Sequence, residues 1–294
     1  MDLENHMKFD QSKNILIIGL GVIGGGYAKG LTDKGYTVRC ITKKQADIEY
    51  ALDKKMILEG RSYPDEKMIS EADIIIFALY PSVFIEWVKE YQHLFKSGAV
   101  ITDVSGVKST VVYKIQEFLR PDVEFISAHP MAGRERSGVE FSDPEVFIGA
   151  NYIVTPTEKN TPEGIALCRE IGQVLGFGRI TELSPEEHDR MIAFLSQLTH
   201  CIAVSLMTCN TDEGLEKYTG DSFRDLTRIA KINAEMWSEL FLMNKDALLS
   251  EMDAFMEDFK DFRSMIDRED REAMMKKMRS STERRSLFDK IKKN

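Results

Sequence analysis

The sequence predicts an α/β protein: a Rossmann-type, doubly wound, mostly parallel sheet followed by an all-helical second domain. Three observations carry this. Short apolar runs alternate with helical segments up to residue 183, a glycine-rich turn closes the first run, and no strand-like run follows residue 183. The expected domains are residues 8–183 and 184–294.

The elements follow in order. Residues 14–18, NILII, form a strand that ends in glycine, and 22–34 read as a helix. Residues 36–42, YTVRCIT, are a second strand. ADIIIFAL at 72–79 is continuously apolar, rich in β-branched side chains and bounded by Pro81, as a strand buried on both faces should be. AVITDV (99–104), VEFISA (123–128), NYIVTP (151–156) and RITEL (179–183) repeat the theme. Ser184-Pro185-Glu186-Glu187 then reads as a helix start. Ser184 is the expected cap, Pro185 the first helical residue and Glu187 the carboxylate that returns to the cap. From there on the chain reads as successive helices, with no internal repeat.

A length of 294 residues suits two domains. With 43% apolar and 30% charged residues the chain has the makings of a core, so disorder is not expected. A net charge of −9 argues against nucleic acid or an anionic membrane as a partner. An anionic substrate would therefore need local cations. The longest apolar runs, 15–18 and 74–79, are strand-sized, so no membrane span is expected. The opening MDLENHMKF lacks the basic start and apolar stretch of a signal peptide. Cys40, Cys168, Cys201 and Cys209 form no C-x-x-C pair. That disfavours zinc or a disulfide framework and fits a reducing cytoplasm.

Gly19-Leu20-Gly21-Val22-Ile23-Gly24 directly follows a strand and opens a helix, the context in which G-x-G-x-x-G signals dinucleotide binding. Gly19 permits the tight turn, Gly21 lets a pyrophosphate approach the backbone, and Gly24 lets helix and strand pack closely. The helix N-terminus then offers unpaired N–H groups to the phosphates. Where an NAD site usually carries an acid at the end of the second strand, this chain has Thr42, followed by Lys43 and Lys44. A hydroxyl and two cations suit a 2′-phosphate, so NADP is expected to be preferred over NAD. The alternative is that both lysines are solvated loop charges.

Two candidate chemical stretches end predicted strands: Thr102-Asp103-Val104-Ser105-Gly106-Val107-Lys108, and AHPMAGRERSG, which contains His129, Arg134, Glu135 and Arg136. Ligands of open α/β sheets bind at the carboxyl ends of strands, so both belong near the nicotinamide. A third stretch lies on the first helix of the second domain. There Asp189, Ala193, Ser196 and His200, at offsets 0, 4, 7 and 11, should form a polar seam on one face. Packed polar groups at a helix–helix contact are the alternative for His200.

AHPMAGRERSG, together with SPEEHD, SQLTH and SFRDLTRIA (222–230), resembles the prephenate/arogenate dehydrogenase family of tyrosine biosynthesis. The resemblance covers nearly the whole chain. It implies a Rossmann-type domain plus a helical dimerisation domain, hence a homodimer. The reaction it implies is oxidative decarboxylation of prephenate to 4-hydroxyphenylpyruvate, with reduction of NAD(P)+. His129 matches the family's catalytic histidine and Arg228 the arginine that binds a substrate carboxylate. His200 and Glu135 match residues that shape the substrate pocket. The chemistry suits these side chains. A neutral imidazole can accept a hydrogen bond from the C4 hydroxyl as hydride leaves that carbon. Arg228 offers a planar fork to a carboxylate of the dianionic substrate. No metal is required.

One departure stands out. The family often has D-V-G-S-x-K where this chain reads D-V-S-G-V-K, so Ser105 is the nearest candidate for the serine that orients the histidine and the nicotinamide. Asp103 and Lys108 could equally be structural. Arg224, Arg134 and Arg136 read as either surface charges or local positive potential. On a late helix Met252, Phe255, Met256, Phe259, Phe262 and Ile266 form an i, i+3/i+4 stripe that suits either a core or a dimer face. No appended regulatory module is expected. The rival readings are arogenate dehydrogenase, another hydroxy-acid dehydrogenase of the same two-domain plan, and a non-catalytic dinucleotide-binding redox sensor.

Overall fold

A computed structural model describes residues 9–133 and 136–288. The chain forms two compact units, Met1–Lys245 and Asp246–Asn294. In the first, the early elements are β1 (Asn14–Ile18), α1 (Val22–Asp33), β2 (Thr37–Ile41), α2 (Gln45–Asp53), β3 (Glu59–Arg61), α3 (Glu66–Glu71) and β4 (Ile74–Phe77). Next come α4 (Pro81–Tyr91), β5 (Val100–Asp103), α5 (Ser109–Phe118), β6 (Glu124–Phe125), β7 (Ser127–Met131), β8 (Asn151–Thr155), α6 (Pro162–Val174) and β9 (Arg179–Glu182). A helical run closes the unit: α7 (Pro185–Ile192), α8 (Thr199–Thr208), α9 (Asp221–Thr227) and α10 (Ala234–Met243).

Six strands form a parallel sheet in the order β3-β2-β1-β4-β5-β6. That is the strand order of a dinucleotide-binding sheet, and its order reverses between β1 and β4. Alternation of side chains sends successive residues to opposite faces. Ile15, Ile17, Val38, Ile74 and Ile76 pack against Tyr27, Ala28 and Leu31 of α1. Leu16, Ile18, Ile75, Phe77 and Ile101 pack against Phe84, Ile85 and Val88 of α4 and Val111 and Ile115 of α5. Both faces are covered, which is why these strands read as unbroken apolar runs.

Two differences from the expected strands bear on the site. The run at 123–128 is not one strand of one sheet. Phe125 pairs with Ile101 in the parallel sheet, whereas Ser127 pairs with Thr155 in a second sheet, β7-β8-β9. Ile126 alone lies between them, fully buried. The other difference is β3, a three-residue edge strand, Glu-Gly-Arg, without the apolar alternation that would have announced it.

Helix α7 begins as expected. Glu187 N–H donates to Ser184 Oγ at 3.2 Å, and Ser184 N–H donates to the Glu187 carboxylate at 3.0 Å. A closed capping box contributes on the order of 1 kcal/mol. From Pro185 to Thr208 the helix is continuous over 24 residues, and it is long and apolar enough to cross a membrane by length and composition. This differs from the expectation of strand-sized apolar runs: from Met191 to Thr208 the apolar side chains are interrupted only by Ser, Gln, Thr and His, so no contiguous run is long although the helix as a whole is apolar. Residues 193–198 of this helix form a π-turn. π-turns are uncommon, and they often mark functional sites.

The second unit holds most of α11 (Lys245–Asp267) and all of α12 (Arg271–Ser286). Lys277 pairs with Asp258 at 2.6 Å between these helices. The stripe on α11 is not a buried core. Phe255, Met256, Phe259 and Ile266 are exposed, Phe259 by 64%.

Candidate active site

The glycine turn has the shape its sequence implied. Gly19 has φ +96°, a left-handed conformation that favours glycine, and a Cβ there would sit 2.5 Å from the Ala78 carbonyl oxygen. A Cβ on Gly24 would sit 2.1 Å from the Gly19 carbonyl oxygen. Around Gly21 there is open space, with no atom within 4 Å of where a Cβ would be. Gly21 also caps α1 without any side-chain hydrogen bond. The turn therefore presents bare backbone and an open cradle at a helix N-terminus, which fits a pyrophosphate. Leu20 is buried, and Val22 and Ile23 begin the helix. Gly19 N–H donates to the Ile41 carbonyl at 2.8 Å, so Thr42 follows immediately on the strand end beside the turn. Thr42 is half-buried, and Lys43 and Lys44 are exposed.

A buried ion pair organises the loop after β5. Asp103 ends β5 and Lys108 precedes α5, both essentially inaccessible to solvent. Lys108 Nζ donates to Asp103 at 2.9 Å and to the Ala128 carbonyl at 2.6 Å. Ser127 Oγ also donates to Asp103. The loop after β5 and strand β7 are thereby tied together just before His129. Burial pushes the Lys108 amine down, and Asp103 opposes that shift.

Ser105 belongs to this network. Its hydroxyl donates to Asp103, with the Val107 carbonyl 2.9 Å from the same oxygen, and its N–H donates to Asp103 at 3.0 Å. The candidate orienting serine is thus turned inward to hold Asp103. The residue beside His129 is Gly106, where a Cβ would lie 3.8 Å from His129 Cε1 and Nε2. The exchange of Ser105 and Gly106 leaves a side-chain-free position at the imidazole edge. Gly106→Ser should therefore fold with Tm within about 2 °C of the parent, because an added Cβ makes only ordinary contacts. Its hydroxyl should alter kcat rather than stability, and a thermal melt with steady-state kinetics checks both.

His129 lies on β7, half-buried, with Nδ1 2.8 Å from His188 Nε2. His188 is fully buried on α7, and its Nδ1 is 2.8 Å from Asp189 Oδ1. Asp189 also accepts backbone N–H bonds from Lys108 and Ser109, each at 2.8 Å. Burial, followed by the charges on His188 and Lys108, pushes His129 well below the usual histidine value. His188 is pushed down chiefly by burial. Burial raises the Asp189 carboxyl, but the His188 hydrogen bond and the Ser109 donors outweigh it and leave the group below the usual carboxylate range. Sequence reasoning missed His188. The capping box was the available signal, since it places His188 and Asp189 one turn into α7.

The expected seam is altered by the π-turn. Asp189 and Ala193 are buried, but the side chain buried next is that of Gln197, with Ser196 half-buried. Gln197 donates to the Leu240 carbonyl at 3.0 Å and accepts from Asn244 at 2.8 Å. His200 Nδ1–H donates to the Ser196 carbonyl at 2.8 Å, and its ring stacks on Trp237 with centroids 3.8 Å apart. Trp237 and Leu240 lie one turn apart on α10, and the Cβ position of Gly106 is 3.8 Å from Leu240. A line of neighbours thus joins His129 to His200 through Gly106 and α10. Arg228 follows α9 on a short 3-10 turn and is exposed. Glu135 and Arg134 lie outside the described residues. Arg136 stacks over Phe141 at 5.0 Å, and Arg224 pairs with Asp221 at 2.9 Å.

A dinucleotide cradle at the end of β1, with a supported, neutral imidazole on β7, defines a dehydrogenase of the Rossmann type. The nucleotide-binding-domain model of prephenate dehydrogenase matches residues 27–178, and the dimerization-domain model matches 184–280. The chain belongs to the prephenate dehydrogenase family. Prephenate dehydrogenase of Lactococcus lactis is 30% identical over 269 residues, covering 89% of this chain and 73% of that protein. Prephenate dehydrogenase of Bacillus subtilis is 28% identical over 278 residues, covering 92% and 75%. A crystal structure of prephenate dehydrogenase from A. aeolicus, with hydroxyphenyl propionate and NAD+, superposes with TM-score 0.87 at 29% identity and covers 96% of this chain and all of that one.

Proposed function

We propose that this chain oxidatively decarboxylates prephenate to 4-hydroxyphenylpyruvate in tyrosine biosynthesis, preferring NADP+ to NAD+. The observation that carries the reading is His129, half-buried at the end of a buried polar network and kept neutral by its surroundings. Its imidazole accepts the proton of the C4 hydroxyl. A dinucleotide held by its pyrophosphate over Gly19–Gly24 would supply the acceptor for the hydride that leaves the same carbon. Loss of the ring carboxylate as CO2 leaves its bonding pair in the ring, which becomes aromatic as the C4 oxygen takes its proton back from His129; this renders the step effectively irreversible. Arg228 holds a substrate carboxylate, and His200 and Glu135 shape the pocket. Ser105 acts indirectly, by fixing Asp103 behind the site. Arogenate keeps the ring carboxylate and the C4 hydroxyl, so it is the second reading.

The preference for NADP+ rests on Thr42, Lys43 and Lys44 at the end of β2, where no acid opposes a 2′-phosphate. Assays at 340 nm should cross prephenate and arogenate with both cofactors. NADP+ is expected to give kcat/KM at least about tenfold above NAD+, and Thr42→Glu should reverse the order by setting a like charge against the 2′-phosphate. A stronger response to NAD+ in the parent enzyme would remove the cofactor assignment. Turnover of 3-hydroxyisobutyrate with none of prephenate or arogenate would remove the function.

The two domains are assigned to residues 8–183 and 184–294, the second serving dimerisation. The exposed stripe of Phe255, Met256 and Phe259 supports a homodimer, since unpaired apolar faces of this kind mark interfaces. Met191, Phe194 and Leu195, exposed by 43–49% on the long helix, also support pairing between copies of the chain. The four free cysteines suit a cytoplasmic setting.

A further inference from the structure

The polar groups behind His129 form a chain of hydrogen bonds whose direction can be worked out. Asp189 accepts N–H bonds from Lys108 and Ser109 at the start of α5, one on each carboxylate oxygen. A carboxylate so placed is held ionised and has no proton to give. The bond between Asp189 Oδ1 and His188 Nδ1 must then be donated by His188. A neutral imidazole carries a single N–H, so His188 Nε2 offers only a lone pair. His129 Nδ1, 2.8 Å away, must therefore donate to it. The remaining ring nitrogen, His129 Nε2, is left bare on the edge that borders Gly106. Around this chain stand Lys108 and Asp103 from the β5–α5 loop. The Lys108 cation disfavours a second proton on either ring.

We infer that His188 and Asp189 are positioning residues that lock His129 in the Nδ1–H tautomer, so that Nε2 faces the substrate as a proton acceptor. The role in turnover rests on the function proposed above, but the tautomer does not. The wrong tautomer would present an N–H to the hydroxyl it must deprotonate. Gln at 188 can reproduce the relay, accepting from His129 and donating to Asp189, whereas Leu can do neither.

The test has two arms. His188→Leu should lower kcat about 10²-fold with KM values within about threefold, and His188→Gln should recover at least about tenfold of that loss. A folded Leu variant with unchanged kcat, or a Gln variant no better than Leu, would overturn the inference. The second arm needs neither substrate nor a variant. Long-range proton–nitrogen correlation spectra of the 15N-histidine-labelled parent should show His129 and His188 both protonated at Nδ1. Free histidine in water favours the other tautomer, so His129 protonated at Nε2 would overturn the assignment. Because these spectra need no turnover, inactivity toward both substrates would count against the function alone.

Discussion

Replacing His129 by Asn should lower kcat about 10³-fold while dinucleotide affinity stays within about threefold, the range expected when a proton acceptor is lost from an intact site. Asn can accept a hydrogen bond from the C4 hydroxyl but cannot take its proton. Single-turnover kinetics with a separate binding titration separates the two effects, and full activity in the variant would remove His129 from the chemistry. The same imidazole should set the pH response. Its folded value is depressed, foremost by burial. In the parent enzyme kcat/KM should therefore hold steady as pH falls through about 6.5, the ordinary histidine value, and decline only below it. That acid limb should vanish in the Asn variant. Stability follows the same sign. The unfolded chain takes up the proton first as pH falls, so the contribution of His129 is complete above about 6.5 and is lost as pH drops through the folded value. Urea unfolding at a series of pH values reads this directly.

Lys108→Met should be among the most damaging changes outside the reacting groups. It leaves Asp103 buried with no cation, and breaking a buried pair from one side costs about 3–5 kcal/mol. Against a typical domain stability of roughly 5–15 kcal/mol that is a large share. Adding Asp103→Asn removes the stranded charge and should recover part of the loss. Urea titrations of the two variants measure both effects, and a loss below about 1 kcal/mol in the single variant would mean that the pair contributes little. Activity should fall as well, because Lys108 also holds the Ala128 carbonyl next to His129.

Much of the first unit was legible from residue order. Apolar runs flanked by helices gave the parallel sheet, and Ser184 with Glu187 located the start of α7. The glycine turn was readable because Gly19 and Gly24 each answer a separate steric demand, while Gly21 leaves the cradle open. What escaped was set by three-dimensional circumstances. The periodicity that linked Asp189 to Ser196 assumed 100° per residue, and the π-turn broke that assumption and put Gln197 inward instead. His188 was invisible because its partner, His129, lies 59 positions away on a strand. Ser105 read as the serine that orients the histidine and the nicotinamide, and only the side-chain directions reveal it as a brace for Asp103. The α11 stripe illustrates a further ambiguity, since helical spacing of apolar residues does not say which body covers them.

Ile126 joins two sheets with a single residue between Phe125 and Ser127. Consecutive Cα atoms are only about 3.8 Å apart, so the platform that carries the nucleotide and the strand that carries the imidazole share a short covalent tether. Breathing of the smaller sheet can tilt His129 but cannot carry it far from the end of β5. The distance of the imidazole from the end of β5 is thereby limited by chain connectivity, which heat and denaturant leave untouched until the strand itself unravels.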